Sequence, residues 1–172
     1  MTNALNQLYG DIEDLGRADR YLDEILEIAH RVRLFDDLDR DEIRVICHYM
    51  RCYAAPRNYA LLKEGASGDH LVLILTGMAE LRKRVPGAGS EKITEVSAGS
   101  AIGEATMAGS QPRCVSCVAT TPTDFAVLTR DALNHILLQA PRLGNKFLLT
   151  LLRTMSVHLR EAYAHVLPGA VW

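Results

Sequence analysis

The sequence has no uninterrupted run of about 18 apolar residues, and its N-terminus is polar and acidic. Neither a membrane-spanning helix nor a secretory leader is therefore expected. It also lacks an excess of either charge: 19 Lys and Arg stand against 21 Asp and Glu, a formal net charge of -2. A basic face that tracks a phosphate backbone is missing, which argues against direct DNA binding. Six histidines occur (His30, His48, His70, His135, His158, His165), but none form the His-x-His or His-x-x-x-His pairs that a metal-dependent enzyme would use. No metal site is expected. The cysteines are only Cys47, Cys52, Cys114 and Cys117. The CxxC spacing of the last two lies in a strand-like run, where residues three apart face opposite sides. They read as small buried side chains in a reducing compartment. With no nucleophile and base pair either, the expectation is a soluble, cytoplasmic, non-catalytic protein without a cofactor.

What is present is enough for one core: 172 residues, 48% of them apolar. From Asn3 to Val32, Leu5, Leu8, Ile12, Leu15, Leu22, Ile25, Leu26 and Ala29 recur at helical intervals, broken at Gly10 and Gly16. Asp39 is placed to cap a short helix through Ile43, Val45 and Ile46. Then the period changes. Met50 to Ala55, Tyr59 to Lys63, Leu71 to Leu75, Met78 to Val85, Ile93 to Val96, Cys114 to Ala119 and Asp124 to Leu128 read as short strands. Gly, Pro and Asn turns separate them, the punctuation of an antiparallel jelly-roll barrel. Helical spacing returns at Asp131, Pro141 interrupts it, and a long helix follows from Phe147 to Val166. Its apolar face is broad enough to pack on the barrel and contact something else, including a second copy of the helix. The class predicted is α+β: 1–33 an N-terminal helical extension, 34–130 the barrel, 131–167 hinge and lid helices, 168–172 a tail.

One stretch fits no strand: Gly99 to Ser116, rich in small residues until Pro112-Arg113. A short helix beginning at Glu104, entered through Gly103 and left through Gly109, aims its unpaired first amides at one point and suits an anion. Arg113 adds a full positive charge, in proportion to the single charge of a cyclic phosphodiester. Glu104 would repel that phosphate unless it accepts a hydrogen bond from an adjacent sugar hydroxyl, because an ionised carboxylate accepts and does not donate. An acid and an arginine at this spacing describe a nucleotide site.

The order Gly99, Ile102-Gly103-Glu104, Pro112-Arg113 resembles the phosphate-binding cassette of the cyclic-nucleotide-binding domain family, which includes the catabolite activator protein and the regulatory subunits of cyclic-AMP-dependent protein kinase. Glu64-Gly65, Gly68-Asp69 and Leu73-Ile74-Leu75-Thr76-Gly77 extend the resemblance over roughly Leu34 to Tyr163. The resemblance implies a sensor of cyclic AMP or cyclic GMP that signals to a protein effector by closing its last helix. It implies that Gly103 and Ala105 offer amides to the phosphate and that Arg113 pairs with it. Cys114 adds a backbone contact, and Glu104 holds the ribose. The last helix reads the base, which nominates His158, Arg160, Ala162 and Tyr163. Thr106, Ile102 and Cys114 depart from the family pattern, and Cys114 leaves the base undecided. The rival is an interaction module of the same fold that binds no ligand, or a cyclic dinucleotide. The family's DNA-binding members carry a helix-turn-helix after the long helix, for which four residues past Pro168 are too few.

Overall fold

Alternation of inward and outward side chains organises the strands of this chain, and the computed structural model describes residues 2–109 and 111–166. The predicted tail, 168–172, lies outside them. The order is α1 (Thr2–Tyr9), β1 (Glu13–Arg17), α2 (Leu22–Ile28), α3 (Arg40–His48), β2 (Arg51–Ala55), β3 (Ala60–Leu62), β4 (His70–Ile74), β5 (Met78–Val85) and β6 (Gly89–Ser97). Then come β7 (Ala101–Ile102), α4 (Glu104–Ala108), β8 (Ser116–Ala119), β9 (Thr123–Thr129), α5 (Arg130–Gln139) and α6 (Pro141–Val166). Three short 3-10 turns, Ala18–Tyr21, Ala29–Arg31 and Arg33–Phe35, flank α2 and lead to α3.

All strand pairings are antiparallel, in a five-stranded sheet of order β1-β2-β9-β4-β7 and a four-stranded sheet of order β3-β8-β5-β6. The expected class, helices with antiparallel sheet, is what the chain adopts. The barrel is not closed, however: no pairing joins the two sheets among the described residues. Large inner side chains hold the faces apart. Tyr53, Val72, Ile74, Phe125 and Val127 of the first sheet meet Leu61, Leu62, Ala79 and Cys117 of the second. The opposite face of the first sheet, Cys52, Leu71, Leu73, Ala126 and Leu128, packs under a helical layer of Ile46, Leu133, Ile136, Phe147 and Leu151. β4 is therefore covered on both sides, which is why His-Leu-Val-Leu-Ile is buried at every position instead of alternating. At the far edge β6 is almost wholly exposed, and its charges Glu91, Lys92 and Glu95 discourage edge pairing.

The helices start where their caps dictate. Asp39 and Glu42 form a reciprocal capping box on α3, and the Thr129 hydroxyl accepts from the Ala132 amide at the start of α5. Pro141 takes the first position of α6, where its missing N–H is not needed. The N-terminal stretch corrects the helical reading. Residues 13–17 are a strand paired to β2, so Leu15 is not on a helix, and an Asp14–Arg51 ion pair ties the two strands. Helical spacing misleads here because Gly10 and Gly16 cut the segment into pieces too short to hold a helix. Nor does α1 lie outside the sheets. Leu5 and Tyr9 enter the space between them, and the Tyr9 hydroxyl donates to the Leu61 carbonyl at 2.8 Å. Among the described residues no helix is long and apolar enough to cross a membrane.

Candidate functional site

The loop between β7 and β8 is built around Gly103, whose φ of +94° turns the chain from β7 into α4. That left-handed backbone is open to glycine and strained for other residues. The predicted short helix forms, running Glu104–Ala108 with Gly103 and Gly109 as its caps. Met107 is buried in the helical layer and anchors it.

Arg113 lies across this turn. A Cβ on Gly103 would stand 2.6 Å from its Nη1, and one on Gly68 would stand 2.4 Å from its Nη2. Two glycines thus make a slot as flat as the guanidinium. Within it Nη1 donates to the Thr106 hydroxyl at 3.0 Å and Nη2 to the His70 carbonyl at 2.8 Å. Thr106 in turn donates to the Gly103 carbonyl at 2.9 Å. The backbone of residue 113 is pinned as well, its N–H to Ala66 at 3.0 Å and its carbonyl to the Gly65 N–H at 2.8 Å. Only 5% of Arg113 is exposed, and among the described residues it pairs with no carboxylate. Burial pushes its pKa down, yet a guanidinium keeps its proton. A fixed, buried cation with no directly bonded counter-ion is expensive to the fold and strongly attractive to an anion.

Asp69 and Glu104 act on the guanidinium by charge, without a direct bond to it. Burial, and then the Arg113 charge, push His70 down to about 4, so it is uncharged near neutral pH. Its Nε2 lies 2.9 Å from the Tyr9 hydroxyl. Its other ring nitrogen, Nδ1, lies 3.5 Å from an Asp69 carboxylate oxygen, which opposes the downward shift. Tyr9 itself is buried and its pKa is raised by desolvation.

Glu104, the first residue of α4, is 8% exposed and accepts a 2.7 Å bond from His158 Nδ1 on α6. Of the four residues nominated on α6, the structure brings His158 to the cassette, whereas Arg160, Ala162 and Tyr163 are exposed. Gly103 stands at the mouth of the slot beside Arg113, and the side chain of Ala105 is exposed one residue into α4. Cys114 is exposed, ahead of β8 and not within it, and its carbonyl accepts from Lys83 at 2.7 Å. Cys47, Cys52 and Cys117 are buried free thiols whose pKa values burial pushes up to about 12. Among the described residues no group of three or more His, Cys, Asp or Glu is gathered for a metal.

Sequence reasoning missed two members of the site. Thr106 is noticed there only as a departure from pattern, and its hydroxyl turns out to hold Arg113. Arg130 carries no local signal at all. From the start of α5 its Nε donates to Met107 O at 2.8 Å and its Nη2 to Thr106 O at 2.8 Å and Gly109 O at 2.5 Å. It thereby caps the carbonyl end of α4 and fastens it to the start of α5. Arg130→Met, which keeps the stem and removes the donors, is expected to weaken anion affinity about tenfold, the worth of one charged hydrogen bond. Calorimetry beside urea unfolding checks it; unchanged affinity would mean that α4 keeps its position unaided.

The two-sheet module thus holds a glycine-cradled arginine behind a one-turn helix, with a carboxylate at that helix's first position. The comparisons specify it further. Residues 54–140 match the model of the cyclic nucleotide-binding domain, and the chain belongs to that family. It is 25% identical over 148 residues to a CRP-like cAMP-activated global transcriptional regulator of Mycobacterium tuberculosis, covering 84% of this chain and 66% of that one. It is 28% identical over 105 residues to a cAMP-dependent protein kinase regulatory subunit of Blastocladiella emersonii, covering 61% of this chain and 26% of that one. The chain thus spans somewhat less than two thirds of the first relative and about a quarter of the second. Among solved structures, a cyclic nucleotide-binding domain from Methylobacillus flagellatus superposes with a TM-score of 0.83 at 48% identity, covering 96% of this chain and 93% of that one. The catabolite activator protein of Thermus thermophilus shares the fold at a TM-score of 0.70 and 22% identity, over 78% of this chain and 61% of that one.

Proposed function

We propose that this chain is a non-catalytic sensor of cyclic AMP. The observation that carries the reading is Arg113: a guanidinium 5% exposed, held by two neutral acceptors, with its charge unmatched by a carboxylate among the described residues. In this reading Arg113 pairs with the cyclic phosphate, the Gly103 and Ala105 amides and the Cys114 backbone complete its ring of donors, and Glu104 accepts from the ribose. The base falls to α6, for which His158, Arg160, Ala162 and Tyr163 are the candidates. Cyclic AMP is favoured over cyclic GMP because the mycobacterial and fungal relatives are named for cAMP. We take 34–130 as the binding unit and 131–167 as hinge and lid, with movement of α6 as the signal to a protein effector. A ligand can move that equilibrium only by as much as it prefers one state.

Thermal unfolding with cyclic AMP, cyclic GMP and cyclic dinucleotides tests the proposal. A ligand at about 100 times its Kd stabilises by about 2.7 kcal/mol, or about 5–10 °C for a chain of this size. A shift with none of them would favour an interaction module without ligand, and a shift with dinucleotides alone would reassign the ligand.

The proposed partner of α6 is a second copy. Leu149, Leu152, Leu159 and Tyr163 are exposed along it at spacings of three, seven and four, a seam of coiled-coil type. A dimer mass in light scattering, lost in Leu152→Glu and Leu159→Glu, is the expected result; a monomer at all concentrations would refute it.

A further inference from the structure

The structure assigns His158 a place in the nucleotide site: it holds the Glu104 oxygen that the ribose hydroxyl would use, so that the imidazole and the ligand's hydroxyl compete for one acceptor. This rests on the proposed role of Glu104 as the ribose acceptor. The geometry is specific. His158 Nδ1 donates to Glu104 Oε1 at 2.7 Å, the length of a strong charge-assisted bond, across 54 positions of sequence. The Glu104 side chain is only 9% exposed, whereas that of His158 is 41% exposed. Of the two carboxylate oxygens, Oε1 is the one that His158 holds. The imidazole, at the solvent side, is the partner able to leave. A sugar hydroxyl arriving with the phosphate on Arg113 replaces one donor by another, and the carboxylate is satisfied before and after. The His158–Glu104 tie yields, and α6 keeps its place as the lid of the site.

The exchange is linked to protons. The groups facing His158 are Glu104 on α4, Glu161 on its own helix and Arg33 from the 3-10 turn before α3. The hydrogen bond to Glu104 dominates and holds the imidazole pKa above its usual value, with Glu161 adding to this and burial and Arg33 opposing it. Once the ribose takes Glu104, His158 returns toward an ordinary value near ~6.5. Ligand binding therefore releases a proton. The tie is whole below the ordinary value and is lost as pH rises through the raised one, so the competitor weakens and affinity climbs with pH across that window. His70, pushed down to about 4, does not titrate there.

The test uses the full chain and two ligands, cyclic AMP and 2′-deoxy cyclic AMP, titrated by calorimetry between about pH 5.5 and 8.5, the range in which a histidine switches. Cyclic AMP affinity is expected to rise about five- to tenfold over that range, a modest gain because His158 is partly solvated. The deoxy ligand, with no hydroxyl to offer, leaves His158 in place and binds with a flat profile. His158→Gln flattens the cyclic AMP profile too. In parallel, NMR titration of the ligand-free protein reads the His158 pKa directly, raised in the wild type and ordinary in Glu104→Gln. A slope that survives in His158→Gln, an equal slope with the deoxy ligand, or an ordinary His158 pKa overturns the exchange and leaves the Arg113 site standing. Failure to bind any cyclic nucleotide at any pH overturns the site reading and the exchange with it.

Discussion

Arg113→Ala is expected to abolish measurable cyclic nucleotide binding while leaving the ligand-free fold close to its starting stability. The two halves of this outcome have different causes. In the free protein the guanidinium is buried with no directly bonded counter-ion, so removing it relieves a desolvation burden. Against that, the His70 carbonyl and the Thr106 hydroxyl each lose a donor, and the slot between Gly68 and Gly103 is left part-empty. These terms oppose each other and largely cancel. In the complex nothing cancels: the phosphate faces a cavity in place of a charge, a loss of about 3–5 kcal/mol, which is about 10²- to 10⁴-fold in affinity. Arg113→Lys recovers only part of this, since an ammonium has one point of charge and the slot is shaped for a planar fork. Calorimetry for affinity and urea unfolding for stability separate the two effects. Unchanged affinity in Arg113→Ala would mean that the cassette has been assigned wrongly.

The second large effect is expected from Gly103→Ala, read against Gly87→Ala. Both glycines have positive φ, +94° and +80°, so alanine at either costs about 1–2 kcal/mol of backbone strain. Their surroundings differ. Around Gly87 nothing lies within 4 Å, whereas a Cβ at Gly103 meets Arg113 Nη1 at 2.6 Å, the His70 carbonyl at 3.1 Å and Leu62 Cδ1 at 3.3 Å. The guanidinium is the end of a long side chain and gives way, so the protein still folds. Moving it takes the charge off its aim and breaks the bond to Thr106. A larger loss of stability is therefore expected in Gly103→Ala, where the tight His70 carbonyl and the lost Thr106 bond add to the strain, with cyclic nucleotide affinity falling about 10- to 100-fold in that variant alone, the worth of one or two charged hydrogen bonds. Comparable affinity in both would show that the slot does not position Arg113.

Much of the fold was legible because its signals are local. Asp39 three residues before Glu42, Pro141 before an apolar repeat, and strands cut by Gly and Pro turns each report backbone geometry within a few positions. The strand at 13–17 was not legible, since the residues that make it a strand are its partners 51–54 on β2. The same holds for Tyr9. Its spacing marks an ordinary amphipathic helix, and nothing near it in sequence announces a place between two sheets beside His70. Arg130 reads as a surface arginine ahead of α5 until α4 is folded against it.

By itself, then, the sequence determined the class of elements and the cassette. Gly103, Glu104 and Arg113 fall within one turn, one helix and one loop, where covalent geometry and backbone strain leave few arrangements. Tertiary structure decided what that cassette is joined to: Thr106 and His70 under the arginine, Arg130 on the end of α4, and His158 on Glu104. Those bonds join positions 7 to 54 residues apart. They exist only because packing of the two sheets and the helical layer buries charged groups beside one another, a condition that no local period of the chain encodes.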